Sequence, residues 1–270
     1  MQFALVNGVR STAQPKTQGI CQFCGDTMIA KCGRKTISHW AHTPKRKCDP
    51  WWENETPWHR RWKSCFPEDW RERIHEDPTT KEKHIADVKT DTGRVLEFQN
   101  SPMPADELES REDFYGDMIW IVNGDRFRHN FHVLDALPDP GAEFAQDIVF
   151  FPQSLEKRVF GFWRKSEQPD YEPGDLVRVH FVEEECEEDT RRQINEHYIG
   201  HHLFDWRHPR SVWFESRRPV YLDFDLENFL LQLKVYQTYS HRQLWCVQYI
   251  SRRFIIESNG GVYPAPANPI

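Results

Sequence analysis

Long apolar runs are missing from this sequence: no stretch approaches the roughly 20 consecutive apolar residues needed to span a bilayer. The first residues, Met1 to Gly8, lack a basic start followed by an apolar run, so they read as a strand rather than a leader to be removed. Both absences point to a cytoplasmic protein with no membrane partner. A disulfide framework is excluded with them, because cytoplasmic thiols stay reduced; the seven Cys are read as metal ligands or core residues. There is also no internal repeat, which excludes a solenoid or propeller.

What is present suits a folded chain. Its 270 residues are enough for one large domain or two modest ones, and 38% hydrophobic with 29% charged residues fits a globular protein rather than a disordered one. The 11 Trp and 18 Phe supply core volume, and some can stack on bases. A net charge of −7 runs against phosphate binding, but it is uneven. Residues 1–100 hold 17 Lys and Arg against 13 Asp and Glu, and the rest hold 18 against 29. Basic clusters lie at Lys45-Arg46-Lys47, at Arg60-Arg61-Trp62-Lys63 and at Arg71/Arg73. For any one of them, a solvated face is the simpler reading.

Three regions follow. Residues 1–50 read as a strand and a Cys/His module, 51–135 as an α/β core, and 140–270 as an acidic, aromatic, strand-rich region with no assigned chemistry. The run Glu183 to Asp189 is a like-charge turn or helix start, and the tail from Gly260 to Ile270 is Pro-rich and loose. In the core, Asn54 or Thr56 caps a helix that has Pro57 in its first turn and ends before Pro67. Ile85–Val88 and Val95–Gln99 are strands about a turn at Asp91-Thr92-Gly93. Ala105 to about Gly116 is helical, and Met118–Val122 is a buried strand before an Asn123-Gly124 turn.

The hairpin carries the chemistry. Glu97 and Gln99 are two apart and share one face, while Phe98 takes the other. Asp87, on the partner strand, can meet Glu97. Two carboxylates with nearby carbonyls form a hard-oxygen site for Mg²⁺ or Mn²⁺, which activates water against a scissile phosphate. Gln99 can orient that water but brings no charge. Isolated acids on a hairpin are usually just solvated, but the apolar Val88, Val95, Leu96 and Phe98 half-bury these, and buried acids need partners. Glu55, His59 and Lys63 follow at four-residue steps, and Arg111 and Tyr115 form a similar pair suited to phosphate. An ordinary solvated helix face is the rival reading for both.

Cys21-Gln22-Phe23-Cys24 is followed, after 14 intervening residues, by His39-Trp40-Ala41-His42. Two close pairs around a short loop are what tetrahedral Zn²⁺ needs, so Cys21, Cys24, His39 and His42 are read as a closed, structural zinc site. Cys32 and Cys48 are rivals for a ligand position. Lys31, Arg34 and Lys35 could bring this module against DNA, though a role in stabilising the fold is simpler.

Together these residues resemble the competence protein CoiA-like family, whose members are similar to PD-(D/E)XK nucleases. The resemblance runs from Cys21 to about Val122 and rests on Cys21 and Cys24, His39-Trp40-Ala41-His42, Glu55 with His59 and Lys63, His84-Ile85-Ala86-Asp87-Val88 and Glu97-Phe98-Gln99-Asn100-Ser101-Pro102. Thr56-Pro57 and the loop Thr79 to Lys83 depart from the family pattern. The resemblance implies an α/β fold: a PD-(D/E)XK nuclease-like core with a mixed β-sheet flanked by helices, an N-terminal zinc knuckle and a strand-rich C-terminal region. Asp87 and Glu97, with Glu55, would hold catalytic Mg²⁺ or Mn²⁺; Gln99 stands where Lys is usual; His59 and Lys63 complete the catalytic set. Arg60, Arg61, Arg111 and Tyr115 would contact nucleic acid. The expected activity is hydrolysis of phosphodiester bonds in DNA, in uptake, recombination or defence, alongside partner proteins of those processes. The alternative is a nuclease-like DNA-binding accessory that does not cut, or a protein-interaction subunit.

Overall fold

The computed structural model describes residues 1–33, 37–43, 48–184 and 187–264. Its strands outnumber its helices, and the chain divides into two units. The first comprises Met1–Asn123, Glu215–Pro219 and Arg253–Ile270; the second comprises Gly124–Phe214 and Val220–Arg252. Residues 1–123 fall in one unit, and the chain first passes to the second unit at 123/124. No helix among the described residues is long and apolar enough to cross a membrane.

The first unit opens with five antiparallel strands, β1 (Phe3–Val6), β2 (Val9–Thr12), β3 (Gln18–Ile20), β4 (Thr27–Lys31) and β5 (His39–His42), in the order β2-β1-β3-β4-β5. Asn7 and Gly8 both take positive φ, 51° and 79°, which matches a two-residue turn to the strand twist. Met1, Ala4, Cys21, Met28 and Trp40 form the core beneath this sheet. Next comes α1 (Pro57–Ser64). Of the two candidate caps, Thr56 is the one used: it accepts the His59 N–H, and the His59 side chain returns to the Thr56 backbone.

The second sheet of this unit, β9-β8-β7-β6, comprises β6 (Arg71–Glu76), β7 (Lys83–Lys89), β8 (Val95–Gln99) and β9 (Met118–Asn123). β7 and β8 are antiparallel, whereas β8 and β9 are parallel and joined by α2 (Ala105–Tyr115), so the sheet is mixed and the unit is α/β. Gly116 ends α2 at φ 68°. All five residues of β8 are buried, although two of them are polar. Trp62 stacks on Phe98 from α1, while Arg111 of α2 reaches Glu97, whose side chain leaves the opposite face of the strand.

The second unit is strand-rich. Its five-stranded antiparallel sheet has the order β10-β14-β17-β16-β15, formed by β10 (Phe131–Pro138), β14 (Tyr198–Trp206), β15 (Val220–Leu226), β16 (Phe229–Tyr239) and β17 (Arg242–Ser251). A three-stranded sheet runs β11 (Ile148–Phe150), β12 (Gly161–Arg164), β13 (His180–Phe181). Leu137, Phe150, Phe162, Leu203 and Cys246 lie in its core. The acidic run expected as a turn or helix start leads into α3 (Glu188–Glu196). The last helix, α4 (Arg252–Ser258), begins at the unit boundary. The clusters at Lys45-Arg46-Lys47 and Arg34-Lys35, Cys186 and the tail from residue 265 lie outside the described residues.

Candidate metal centre and carboxylate pocket

Cys21, Cys24, His42 and Cys48 present one ligand atom each, all within 4.8 Å of one another. Cys24 Sγ lies 3.3 Å from His42 Nε2, and Cys21 Sγ lies 3.9 Å from Cys48 Sγ. A tight turn brings the first pair together: Gly25 N–H donates to the Cys21 carbonyl at 3.0 Å, with Gly25 at φ 76°. Three thiols and one imidazole are a soft donor set that could bind a metal such as zinc. The Cys48 hydrogen bond draws the Cys21 thiol well below its ordinary range, and the same bond pushes Cys48 up.

His39 is a correction to the expected ligand set, with Cys48 in its place. Residues 39–42 form a strand, so positions three apart point to opposite faces, where a turn would have put both imidazoles on one side. The His39 ring bonds the Ile37 carbonyl at 2.8 Å instead. Cys32 Sγ, the other rival, donates to the Ala13 carbonyl.

The carboxylates meet where the β7–β8 ladder stops. The register pairing Val88 with Leu96 puts Asp87 opposite Glu97, and side chains there replace backbone partners. Asp87 Oδ2 accepts the Phe98 N–H at 3.0 Å, and Glu97 Oε1 accepts the Asp87 N–H at 3.1 Å. On the other side, the register of Arg71 with Val88 and Arg73 with Ala86 puts Glu72 opposite Asp87. Glu72 has φ 47°, a left-handed conformation seldom taken by non-glycine residues.

Lys63, buried on α1, joins this row. Its Nζ lies 2.8 Å from Glu55, 3.1 Å from Glu72 and 3.6 Å from Asp87. Burial opposes its charge, but Glu72, Asp87 and Glu55 outweigh burial and hold the ammonium above its ordinary range. Burial likewise pushes Glu55 up, yet Lys63 and Arg60 reverse this and bring its carboxyl down to about 2. Burial and then the charge of Asp87 push Glu97 up to about 8, against the pull of Arg111 at 3.0 Å.

Glu55, His59, Lys63, Asp87, Glu97, Gln99 and Arg111 line one cavity of about 20 Å³, room for a single water or ion. His59 Nε2 is buried there without a hydrogen bond, 3.5 Å from Glu53. Among the described residues, no set of three or more His, Cys, Asp or Glu ligand atoms here lies within 4.8 Å of one another; only the cysteine centre meets that measure. The pocket therefore offers a carboxylate pair rather than a closed set of ligands.

The four residues expected to contact nucleic acid separate. Arg61 is exposed. Arg60 is tied to Glu55 at 2.5 and 3.0 Å. Arg111 and Tyr115 are 3% and 6% exposed, and Arg111 is committed to Glu97, Glu107 and the Trp51 carbonyl. Both lie on the buried side of α2 with Leu108 and Glu112, which makes Arg111 an internal support of Glu97 rather than a phosphate contact. The sequence reading missed Asp49, Glu53 and Glu72. Glu53 accepts hydrogen bonds from Gln99 and Ser101, two residues before the Glu55 that was singled out. Glu72 was hidden in a charged segment whose strand went unrecognised. In comparisons with protein-family models, curated proteins and solved structures, nothing matches this chain.

Proposed function

We propose that the protein is a metal-dependent nuclease acting on DNA, with a PD-(D/E)XK-like core and a zinc site that stabilises its first unit. The observation that carries this reading is the pairing of Asp87 and Glu97 at the open end of the β7–β8 ladder, beside a cavity the size of one ion. Burial and the neighbouring Asp87 carboxylate raise Glu97, a crowding of acids that a divalent cation bound to the pair would relieve. Asp87 and Glu97 would hold Mg²⁺ or Mn²⁺, which supplies a water made nucleophilic and a counter-charge for the phosphate. Gln99, whose amide nitrogen donates to Glu53 and the Ser101 carbonyl, offers its amide oxygen to orient that water. Lys63 brings to Asp87 the positive charge that Gln99 lacks. His59 Nε2 faces the cavity with hydrogen-bonding capacity in hand, suited to a phosphate oxygen or leaving group.

The position of Lys63 also supports a second reading. An ammonium kept within 3.6 Å of Asp87 can stand in for the cation, giving an accessory protein that binds DNA without cutting it. Labelled single- and double-stranded DNA incubated with Mg²⁺ or Mn²⁺ decides between them. Cleavage lost in Asp87→Ala and Glu97→Ala is expected; cleavage that survives both substitutions would sink the nuclease reading. Retained binding without cleavage under either metal selects the accessory.

A further inference from the structure

Between the cysteine centre and the pocket runs a segment of six residues, Cys48 to Glu53, that is neither helix nor strand. A turn at Asp49, which accepts the N–H groups of Trp51 and Trp52, shapes it, and its outward bonds reach the strands that carry the pocket residues. Asp49, 1% exposed, accepts the Ile85 N–H at 2.7 Å and bonds His84 at 2.9 Å, which stitches the segment to β7 two residues before Asp87. Trp51 lays its ring on His84, and its carbonyl accepts Arg111 at 2.6 Å. The other arm of that guanidinium holds Glu97. Glu53 accepts the backbone N–H of Asn100 at 3.3 Å and of Ser101 at 3.1 Å, together with the side chains of Gln99 and Ser101. One short strap, whose first residue is Cys48, thus bonds Gln99 directly, holds Glu97 through Arg111 and anchors β7 two residues before Asp87.

We propose that a metal ion on Cys21, Cys24, His42 and Cys48 sets the geometry of the carboxylate pocket through this strap, and that Glu53 is the positioning residue that seats Gln99. The chemistry follows from the way irregular segments are held. With no ladder or helix of its own, the strap is ordered by its short turn at Asp49, by its side-chain bonds and by whatever fixes its ends. A metal–sulfur bond at Cys48 fixes the upstream end. Without it, Asp49 must hold that end alone, and the Trp51 and Glu53 bonds loosen with it. The strap is drawn from bonds the structure contains, while its importance for DNA cleavage rests on the function proposed above.

The test uses the full chain, loaded with zinc and then stripped by a zinc-selective chelator. Backbone hydrogen exchange and Mn²⁺ binding by electron paramagnetic resonance are read in both states. Stripping is expected to speed exchange about tenfold at residues 49–53 and 97–101, and zinc added back is expected to restore it. Cys48→Ser is expected to match the stripped protein, and Cys32→Ser to match the loaded one. Glu53→Ala, with zinc still bound, is expected to speed exchange at Asn100 and Ser101 alone, with partial rescue in Glu53→Gln. Unchanged exchange after zinc release overturns the proposal. So does a loss of protection spread evenly over Met1–Asn123, which would make the metal a stabiliser of the fold only; because this readout uses the wild-type chain, it holds even if Cys48→Ser does not fold. Absence of Mn²⁺ binding in the loaded protein would count against the nuclease reading, while the exchange data still decide the strap.

Discussion

Replacing Lys63 with Met tests whether the pocket is an electrostatic unit. The substitution keeps length and apolar bulk but deletes the ammonium shared by Glu55, Glu72 and Asp87. Glu55 retains Arg60, whereas Glu72 loses its charged side-chain partner and keeps the N–H groups of Gln2 and Phe3. Breaking a buried pair from one side costs about 3–5 kcal/mol, where an exposed pair costs less than about 1 kcal/mol. For a chain of this size that is a fall in melting temperature of roughly 10 °C. The loss should depend on pH. In the native protein Glu55 sits near 2, below its ordinary 4.5, so it contributes stability above 4.5 that is lost as pH falls towards 2. In the variant the orphaned carboxyls take up protons at higher pH, which relieves the penalty. The gap between wild type and Lys63→Met should therefore be widest near pH 7 and shrink towards pH 4. Calorimetric melts at several pH values check this. A fall below about 2 °C at pH 7, or one that does not change with pH, would refute the reasoning.

Other outcomes follow from separate parts of the molecule. The purified chain should carry close to one equivalent of zinc by elemental analysis; His39→Ala should keep it and Cys48→Ser should lose it. His201 is buried with Nδ1 unbonded, and burial followed by Lys234 lowers its pKa from 6.5 to about 4. A depressed His stabilises the fold above pH 6.5 and loses that contribution as pH falls through 6.5 to about 4. After allowance for solvent screening this amounts to about 1–2 kcal/mol, and it should vanish from urea melts of His201→Phe. A Cβ on Gly124 would lie 2.6 Å from the Phe224 ring, so Gly124→Ala should cost about 1–3 kcal/mol in the same melts.

What was legible in the sequence was mostly local. The Thr56-Pro57 cap, the turn ending at Gly93, and the shared face of Glu97 and Gln99 each depend on neighbours a few residues apart. The five residues from Val95 to Gln99 looked half-buried and proved wholly buried, because two further strands and two helices cover them, which no local pattern records. Ligand choice at the metal centre failed for a related reason. His39 and His42 have the spacing of a turn, and only their pairing with β4 makes them a strand with alternating faces. The strand Arg71–Glu76 was illegible because it lies at the edge of its sheet and is mostly charged, as edge strands often are. With it went Glu72, the carboxylate that completes the row.

Glu72 also ties the order of synthesis to the order of assembly. It accepts the N–H groups of Gln2 and Phe3, residues that leave the ribosome about 70 positions earlier. At roughly 5–20 residues per second, β1 waits about 4–14 s for its acceptor. Through that interval the N–H groups of Gln2 and Phe3 lack this acceptor. A metal ion needs only Cys21 to Cys48, all translated before Glu72, so it can hold the nascent module together until the acid that anchors its first strand emerges.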